Sequence, residues 1–170
     1  MNLQELYAII FMINKIGEVD SSVLLKEYLK LESKIFWQNN MDNEFNVGLY
    51  RYDQKIYFGQ NKTHKESAWA YCSADNTSYV ETVFESIKEN FNLKRIRFMW
   101  LKYNSCYEFH LDPFENIHIP IITNQECYFL FKNGYLEHLK TGSVYLVNTK
   151  LEHTVINGGA SWRLHLVGNT

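Results

Sequence analysis

Residues 127–148 read CYFLFKNGYLEHLKTGSVYLVN, and this stretch decides the predicted fold class. It holds three short runs rich in aromatic and β-branched residues, which are separated by Asn133-Gly134 and Thr141-Gly142. Such runs favour strands with one buried face, and Asn-Gly and similar dipeptides favour tight turns between antiparallel neighbours. The stretch therefore predicts consecutive antiparallel strands joined by short turns.

The same pattern continues on both sides of this stretch. Further short strands are predicted within residues 94–103, 116–123, 153–157 and 162–167. Short antiparallel strands at this spacing are typical of a sandwich or a jelly roll. We therefore predict a mainly β core over residues 93–168.

The chain before this core has a different periodicity. Within residues 3–40, the runs LQELYAIIFMINK and SSVLLKEYLKLESKIF place apolar residues three and four apart, and Gly17 and a candidate helix cap at Asp20 separate them. This spacing is typical of amphipathic helices. It predicts a helical N-terminal segment over residues 1–44.

Residues 45–92 are predicted to contain three further features. A hairpin around Asp53-Gln54 comes first, and a polar surface loop over residues 61–77 follows it. A helix then begins at the sequence SYVE, residues 78–81, whose serine and glutamate have the spacing of a capping box. Apolar residues form one stripe along this predicted helix, and we expect the stripe to face the core.

Length and composition exclude several classes of protein. The chain has 170 residues, of which 46% are hydrophobic and 21% charged, so we predict a single globular domain over residues 1–170. The formal net charge of −2, without a dense run of Lys and Arg, argues against a nucleic-acid partner. The apolar run at residues 6–13 is too short to span a bilayer, which predicts no membrane partner.

Three widely spaced cysteines fit neither a disulfide framework nor a metal or redox motif, so we predict a cytoplasmic protein. The oligomeric state is unknown from the sequence.

A histidine and an aspartate stand two positions apart in EFHLDPFENIHIP, residues 108–120. In an extended segment His110 and Asp112 project from the same face and can hold adjacent positions on one metal ion. His153, at the start of a predicted hairpin, is the best candidate for a third ligand. Two imidazoles and one carboxylate form the facial triad that suits Fe(II) and leaves positions for a cosubstrate and O₂. Arg163, ten residues later, offers a planar fork for an anionic ligand deep in the barrel.

Structural roles are the alternative for each of these residues. A histidine in a β-rich chain is usually a hydrogen-bonded structural residue, and this applies to His110 and His153 taken singly. Arg163 has the alternative of pairing with a carboxylate such as Glu152 or Glu108.

The remaining histidines differ in their surroundings. His64 and His138 lie in polar sequence and are expected to be solvated. His118 stands between two isoleucines and is an intermediate case, and His165 stands between two leucines and is equally able to point to either side of its strand.

The second half of the chain resembles the aspartyl/asparaginyl β-hydroxylase family of Fe(II)- and 2-oxoglutarate-dependent oxygenases. The resemblance runs from about Arg95 to Gly168 and rests on four features in order: His-x-Asp, Ile-His-Ile-Pro, Asn-Thr before the distal histidine, and that histidine followed ten residues later by an arginine. It implies a fold that is mainly β with flanking helices (α+β), whose core is a double-stranded β-helix, a cupin-like jelly roll. Residues 1–90 resemble the family only loosely.

Carried over position by position, the resemblance implies a catalytic site. The catalytic and metal-binding residues would be His110, Asp112 and His153, with Fe(II) as the metal. The residues that bind the cosubstrate 2-oxoglutarate would be Arg163, which holds its distal carboxylate, and His118, which lies near its metal-binding end. O₂ would be the second cosubstrate.

The sequence departs from the family's pattern at one position and selects one of its branches at another. Asn116 stands where members often have an arginine, so the second anchor of 2-oxoglutarate stays unassigned. The vertebrate membrane-bound members have a glycine where this chain has Asp112. The sequence therefore resembles the branch with a full metal-binding triad.

The predicted function is an Fe(II)- and 2-oxoglutarate-dependent dioxygenase that hydroxylates an amino acid, a peptide side chain or a related small metabolite. The candidate substrate contacts are Arg51, Gln60, Trp69, Arg97, Trp100 and Asn124. One alternative is a cupin-type metal-dependent dioxygenase or isomerase that does not use 2-oxoglutarate, and Arg163 argues against it. The other is a non-catalytic barrel that binds a small ligand, and the complete triad argues against that one.

Overall fold

The computed structural model of the protein describes residues 12–32, 38–39, 54–57, 79–88, 90–91 and 93–170. Its two helices are α1 (Ser21–Glu32) and α2 (Tyr79–Lys88). Its strands are β1 (Ile13–Glu18), β2 (Gln38–Asn39), β3 (Gln54–Tyr57), β4 (Lys94–Leu101), β5 (Ser105–Cys106), β6 (Asn116–Ile122), β7 (Cys127–Phe131), β8 (Leu136–Glu137), β9 (Ser143–Val147), β10 (His153–Asn157) and β11 (Arg163–Asn169).

The strands form two antiparallel sheets. The larger has the order β1-β9-β6-β11-β4-β3-β2, and the smaller has the order β5-β10-β7-β8. The turns at Gly134 and Gly142 have φ angles of 91° and 78°, a left-handed conformation that glycine adopts without a steric penalty. The structure thus confirms the predicted mainly β fold class with flanking helices, and it confirms both turns.

One hydrophobic core lies between the larger sheet and the two helices. Leu24 and Tyr28 of α1 pack with the apolar stripe of α2 against strand residues such as Phe98 and Leu166, and these four are at most 1% exposed. A second core fills the space between the sheets, and it includes Phe129 and other residues of β7, β9 and β10. The larger sheet is therefore covered on both faces.

This double coverage explains the polar residues of the central strands. Along β11, Leu164 and Leu166 face the helices, so the alternate residues Arg163 and His165 face the space between the sheets. Along β6 the isoleucines face the helices in the same way, and His118 faces the inner space. Strand alternation thus places polar side chains in the middle of the molecule, where the site lies.

The N-terminal part differs from its prediction in one element. Residues 13–18 form a strand, not a helix, because β1 pairs with β9 as an edge strand of the larger sheet, with Ile13 opposite Val147. The prediction was wrong here since this long-range pairing outweighs the local helical spacing. The helix over residues 21–32 is confirmed, and Asp20 caps it: its Oδ1 accepts the backbone N–H of Ser22 at 2.9 Å.

Several other predictions for residues 1–92 can be compared with the structure only in part. The strand at 38–39 falls in the segment predicted to be helical and pairs with β3, so that prediction was wrong for these two residues. One arm of the predicted hairpin and the loop at 61–77 lie outside the described residues. Neither described helix is long and apolar enough to cross a lipid bilayer. The two cysteines in the described part, Cys106 and Cys127, are both free.

Helix α2 begins with a cap from a distant residue. The carboxylate of Glu27, on α1, accepts hydrogen bonds from the backbone N–H groups of Tyr79 and Val80. These are two of the N–H groups that a helix leaves without internal partners, and a carboxylate there also interacts favourably with the helix dipole. Glu27 therefore joins the two helices that cover the sheet. Ser78, the predicted cap, lies outside the described residues.

We expect Glu27→Ala to lower the free energy of unfolding by about 1 to 2 kcal/mol, the usual cost of losing a helix N-cap. Chemical denaturation followed by circular dichroism measures this change. Glu126→Ala is the matched control, because this exposed glutamate lies in a turn before β7 and its replacement is expected to cost less than about 0.5 kcal/mol. Equal stabilities of the two variants would show that the cap contributes nothing.

Candidate active site

A cavity of about 380 Å³ opens between the two sheets. Its walls combine charged, imidazole and apolar side chains from both sheets and from the loop between β5 and β6. The lining residues are Arg97, Met99, Tyr107, His110, Asp112, Asn116, His118, Phe129, Thr149, His153, Val155, Arg163 and Val167. All five residues that the sequence assigned to the site therefore line one cavity.

Three potential metal ligands meet in this cavity. One ligating atom from each of His110, Asp112 and His153 lies within 4.8 Å of the other two. The backbone holds this arrangement: the N–H of His110 donates to the carbonyl of His153 at 2.9 Å, and the N–H of His153 returns a bond of 3.0 Å. The N–H of Asp112 donates to the carbonyl of Thr149 at 2.8 Å. The loop that carries His-x-Asp is thus paired with the start of β10.

The two histidines are oriented in the same way. Nδ1 of His110 lies 2.8 Å from the carbonyl oxygen of Glu108, and Nδ1 of His153 lies 2.9 Å from that of Leu151. A carbonyl only accepts, so Nδ1 carries a proton in both rings, and in the neutral form of such a ring the lone pair is on Nε2. Burial also lowers the pKa of His153, which favours its neutral form. The hydrogen bond from Nδ1 to a backbone carbonyl is one that metal-ligating histidines typically make.

The carboxylate of Asp112 is held on one side only. Nδ2 of Asn116 donates to its Oδ2 at 2.8 Å, which leaves Oδ1 available. Two imidazoles and one carboxylate are a donor set that suits Fe(II) in a facial triad. The residues present therefore fit a divalent iron.

Arg163 is a buried cation in the same cavity. It is 3% exposed, and burial lowers the pKa of its guanidinium to about 10, so it still carries its charge near neutral pH. Its guanidinium lies over the ring of Phe129, 5.7 Å from the centroid, and no carboxylate of a described residue pairs with it. The alternative partner Glu152 pairs with Lys132 at 2.6 Å. A buried charge of this kind is suited to bind an anion.

His165 is the residue that holds Arg163. Two guanidinium nitrogens lie 2.9 and 2.8 Å from its two ring nitrogens. Burial, with the charge of Arg163 second, lowers the pKa of His165 well below its ordinary value, so the ring is neutral. A neutral imidazole has one acceptor nitrogen, hence one of these contacts is a hydrogen bond that Arg163 donates. The sequence left the direction of His165 open, and the structure turns it inward.

His118 is buried beside the ring of His165. The two ring centroids are 5.7 Å apart, and Phe129 contacts the other side of His118 edge to face at 4.9 Å. Burial lowers the pKa of His118 well below its ordinary value, and its Nδ1 has no partner among the described residues. A neutral imidazole with an unused nitrogen in the cavity wall can donate to or accept from a bound molecule.

The aspartyl/asparaginyl beta-hydroxylase family matches residues 20–169 of this chain, which is most of its length. The chain belongs to this family. A comparison with curated protein sequences gave no significant match. The predicted membership is thus confirmed over a longer stretch than the resemblance had suggested.

Solved structures place this family member in the jelly-roll class. A Pseudomonas putida prolyl-4-hydroxylase is 11% identical with a TM-score of 0.61, and the alignment covers 94% of this chain and 92% of that one. The viral collagen prolyl hydroxylase of Paramecium bursaria Chlorella virus-1, determined as a 2-oxoglutarate complex, is 10% identical with a TM-score of 0.57, covering 93% and 94% of the two chains. At identities this low, the comparison shows similarity of fold alone. That similarity confirms the predicted jelly-roll core.

The predicted substrate contacts divide into three groups. Arg97 lines the cavity, and its Nη1 donates to Oδ1 of Asn169 at 2.6 Å. Trp100 faces the helices, where its indole N–H donates to the hydroxyl of Tyr28 at 2.9 Å. Asn124 belongs to a turn, where its side chain bonds Asn157 and the backbone N–H of Glu126. The candidates Arg51, Gln60 and Trp69 lie outside the described residues, as does His64.

The structure changes the account of two further polar residues, of which His138 carried a prediction. His138 is half-buried, and its Nδ1 donates to the carbonyl of Cys127 at 2.9 Å, so the prediction of a solvated side chain was wrong. Thr149 received no role of its own in the sequence analysis, and the structure shows it lining the cavity, 1% exposed, with its hydroxyl donating to the carbonyl of Phe114 at 2.6 Å. The Asn-Thr pair before the distal histidine was a signal that pointed to it.

Proposed function

We propose that this member of the aspartyl/asparaginyl β-hydroxylase family is an Fe(II)- and 2-oxoglutarate-dependent hydroxylase whose iron is held by His110, Asp112 and His153. The observation that carries the proposal is a single cavity that combines the three ligating atoms with Arg163, a buried cation that pairs with no carboxylate of a described residue. The cluster supplies a site for a divalent metal, and the guanidinium supplies one for an anion. 2-Oxoglutarate needs both, because it has a chelating keto acid and a distal carboxylate.

Arg163 orients the cosubstrate in this proposal. Its planar fork donates two parallel hydrogen bonds to the distal carboxylate, and the contacts with His165 and Phe129 fix its direction before the ligand arrives. A buried setting strengthens this pairing because little water screens it. In this proposal the neutral His118, which lines the same cavity, donates to the end of 2-oxoglutarate that binds the metal. The cosubstrate is thus held at two points, which aligns its keto acid with the metal.

The apolar part of the wall keeps water away from the reacting groups. Phe129 stacks beside His153 with the ring planes at 23° and the centroids 6.0 Å apart, and Val155 and Met99 continue this surface. With 2-oxoglutarate and O₂, Fe(II) in such a site supplies the oxidising chemistry that converts an unactivated C–H bond to an alcohol, while 2-oxoglutarate becomes succinate and CO₂. The chain supplies position and shielding.

The proposed substrate is an amino acid, a peptide side chain or a related small metabolite. The cavity volume accommodates the cosubstrate and one side chain or small molecule. Among the candidate substrate contacts that the structure describes, Arg97 is the one that lines the cavity. A cytoplasmic location and the single-domain organisation of residues 1–170 stay part of this proposal.

Substrate-dependent succinate formation tests the proposed reaction. Protein supplied with Fe(II), 2-oxoglutarate and O₂ is incubated with a panel of free amino acids and short peptides, and we expect at least one of them to raise succinate formation above the substrate-free rate. His110→Ala is expected to abolish this stimulation. Full activity in that variant would show that the metal is held elsewhere and would contradict the proposed site.

A further inference from the structure

Asn116 is a buried residue whose amide is committed to one contact. The side chain belongs to β6, is 3% exposed and lines the cavity. Its Nδ2 donates to Oδ2 of Asp112 at 2.8 Å. Its Oδ1 is buried and has no partner among the described residues. Half of the amide is therefore used on Asp112, and the other half faces no donor.

This arrangement is not explained by packing. A buried polar atom without a partner costs free energy, and an apolar side chain of similar size would avoid that cost. The bond that Asn116 donates goes to the one member of the cluster whose side chain is otherwise free to turn. His110 and His153 are each fixed by a carbonyl at Nδ1, whereas the carboxylate of Asp112 is held, within the described part of the chain, by Asn116 alone.

We propose that Asn116 is the positioning residue for the metal centre: by holding Oδ2 of Asp112, it fixes the carboxylate and leaves Oδ1 for the metal. Asp112 then binds through one oxygen in a fixed direction. The side chain of Asn116 is itself placed by β6, whose register sets Asn116 opposite Asn169 of β11 and Val147 of β9. A carboxylate from the loop is thereby tied to the centre of the larger sheet.

The same amide leaves an acceptor beside the metal site. Oδ1 of Asn116 can take a hydrogen bond from an O–H or N–H group bound next to Asp112. Outer partners of this kind orient metal ligands, and their loss typically weakens metal affinity or activity by about 10- to 100-fold. This inference deepens the proposed function and rests on it, because it assumes that the cluster binds a metal.

Co(II) binding to the metal-free protein tests the inference without any need for turnover. Asn116→Leu and Asn116→Ala both remove the donor, one with side-chain volume retained and one without. We expect both to raise the Co(II) dissociation constant, measured by calorimetry, by about 10- to 100-fold. The visible Co(II) spectrum is expected to change as well, because the carboxylate of Asp112 is then no longer held in a single orientation.

Stability measurements separate positioning from a merely structural role. Thermal unfolding of metal-free Asn116→Leu is expected at or above the wild-type temperature, since leucine removes an unpartnered buried oxygen. Thr154→Val is the control: this hydroxyl is buried on β10 next to His153 and donates to the carbonyl of Tyr107 at 2.6 Å. We expect it to lower the unfolding temperature and to leave Co(II) affinity unchanged.

The outcomes distinguish this inference from the proposed function. Wild-type protein that is folded and does not bind Co(II) would contradict the proposed metal site. Wild-type protein that binds Co(II), with Asn116→Leu and Asn116→Ala binding it equally well, would overturn the role of Asn116 alone. In an Asp112→Ala background the effect of Asn116→Leu is expected to vanish, and an undiminished effect there would also overturn it.

Discussion

Arg163→Leu is expected to weaken 2-oxoglutarate binding by about 100-fold while Co(II) binding to the metal-free protein stays unchanged. The wild-type guanidinium offers two charge-assisted hydrogen bonds to a carboxylate in a buried setting, and at about 1.5 kcal/mol each these account for a loss of about 3 kcal/mol. Calorimetric titration of the Co(II)-loaded protein with 2-oxoglutarate measures the change. Since Co(II) does not turn over with O₂ in this role, binding is measured alone.

The same substitution has an opposite expected effect on the free protein. Without its anion Arg163 is a buried charge with no carboxylate partner among the described residues, so replacing it with leucine removes a desolvation cost. We expect ligand-free Arg163→Leu to unfold no earlier than wild type. Arg163→Lys keeps the charge but loses the planar fork, and an intermediate affinity is expected. Wild-type affinity for 2-oxoglutarate in Arg163→Leu would exclude Arg163 as the anchor.

His153→Gln is expected to abolish turnover and to weaken Co(II) binding by more than the roughly 100-fold loss associated with outer partners of a metal site. Glutamine retains much of the volume of the buried ring but supplies no imidazole nitrogen. The ring of His153 is 2% exposed and lies against Phe129, so a smaller replacement would add a packing defect to the loss of the ligand. Calorimetry with Co(II) and the succinate assay provide the two measurements.

His138→Gln is the matched control for this substitution. His138 also donates from Nδ1 to a backbone carbonyl and lies in the same smaller-sheet region, but it does not line the cavity. We expect its replacement to leave Co(II) affinity and succinate formation at wild-type levels. If both histidine variants lost metal to the same degree, the effect would be one of folding and not of ligation.

Strand positions in the second half of the chain could be predicted because turn residues bound each run. The glycine turns at 134 and 142 mark where strands end, so these strands can be predicted without knowing which strands they pair with. Strands β7, β9, β10 and β11 follow the predicted runs. Strand β1 could not be predicted in this way. Residues 13–18 continue an apolar run with helical spacing, and only the distant β9 makes them a strand.

The sequence could predict which side chains gather in one cavity but not how they are hydrogen-bonded. His110 and Asp112 stand two apart, and in extended backbone this spacing alone directs both side chains to one face. The contact of Asp112 with Asn116 depends on how the loop folds back on β6, which spacing does not specify. Likewise, alternation put Arg163 and His165 on one face of β11, but only the packed helices show which face points inward.

The central claim is that one cavity binds Fe(II) and 2-oxoglutarate together through these residues. The most direct measurement adds both to the protein without oxygen and records the visible charge-transfer absorption of the chelate, with Asp112→Ala and Arg163→Leu in parallel. We predict a band in the wild-type protein, no band in Asp112→Ala at the same Fe(II) concentration, and a weaker band in Arg163→Leu that recovers at higher 2-oxoglutarate. Absence of the band in folded, metal-loaded wild-type protein would contradict the account.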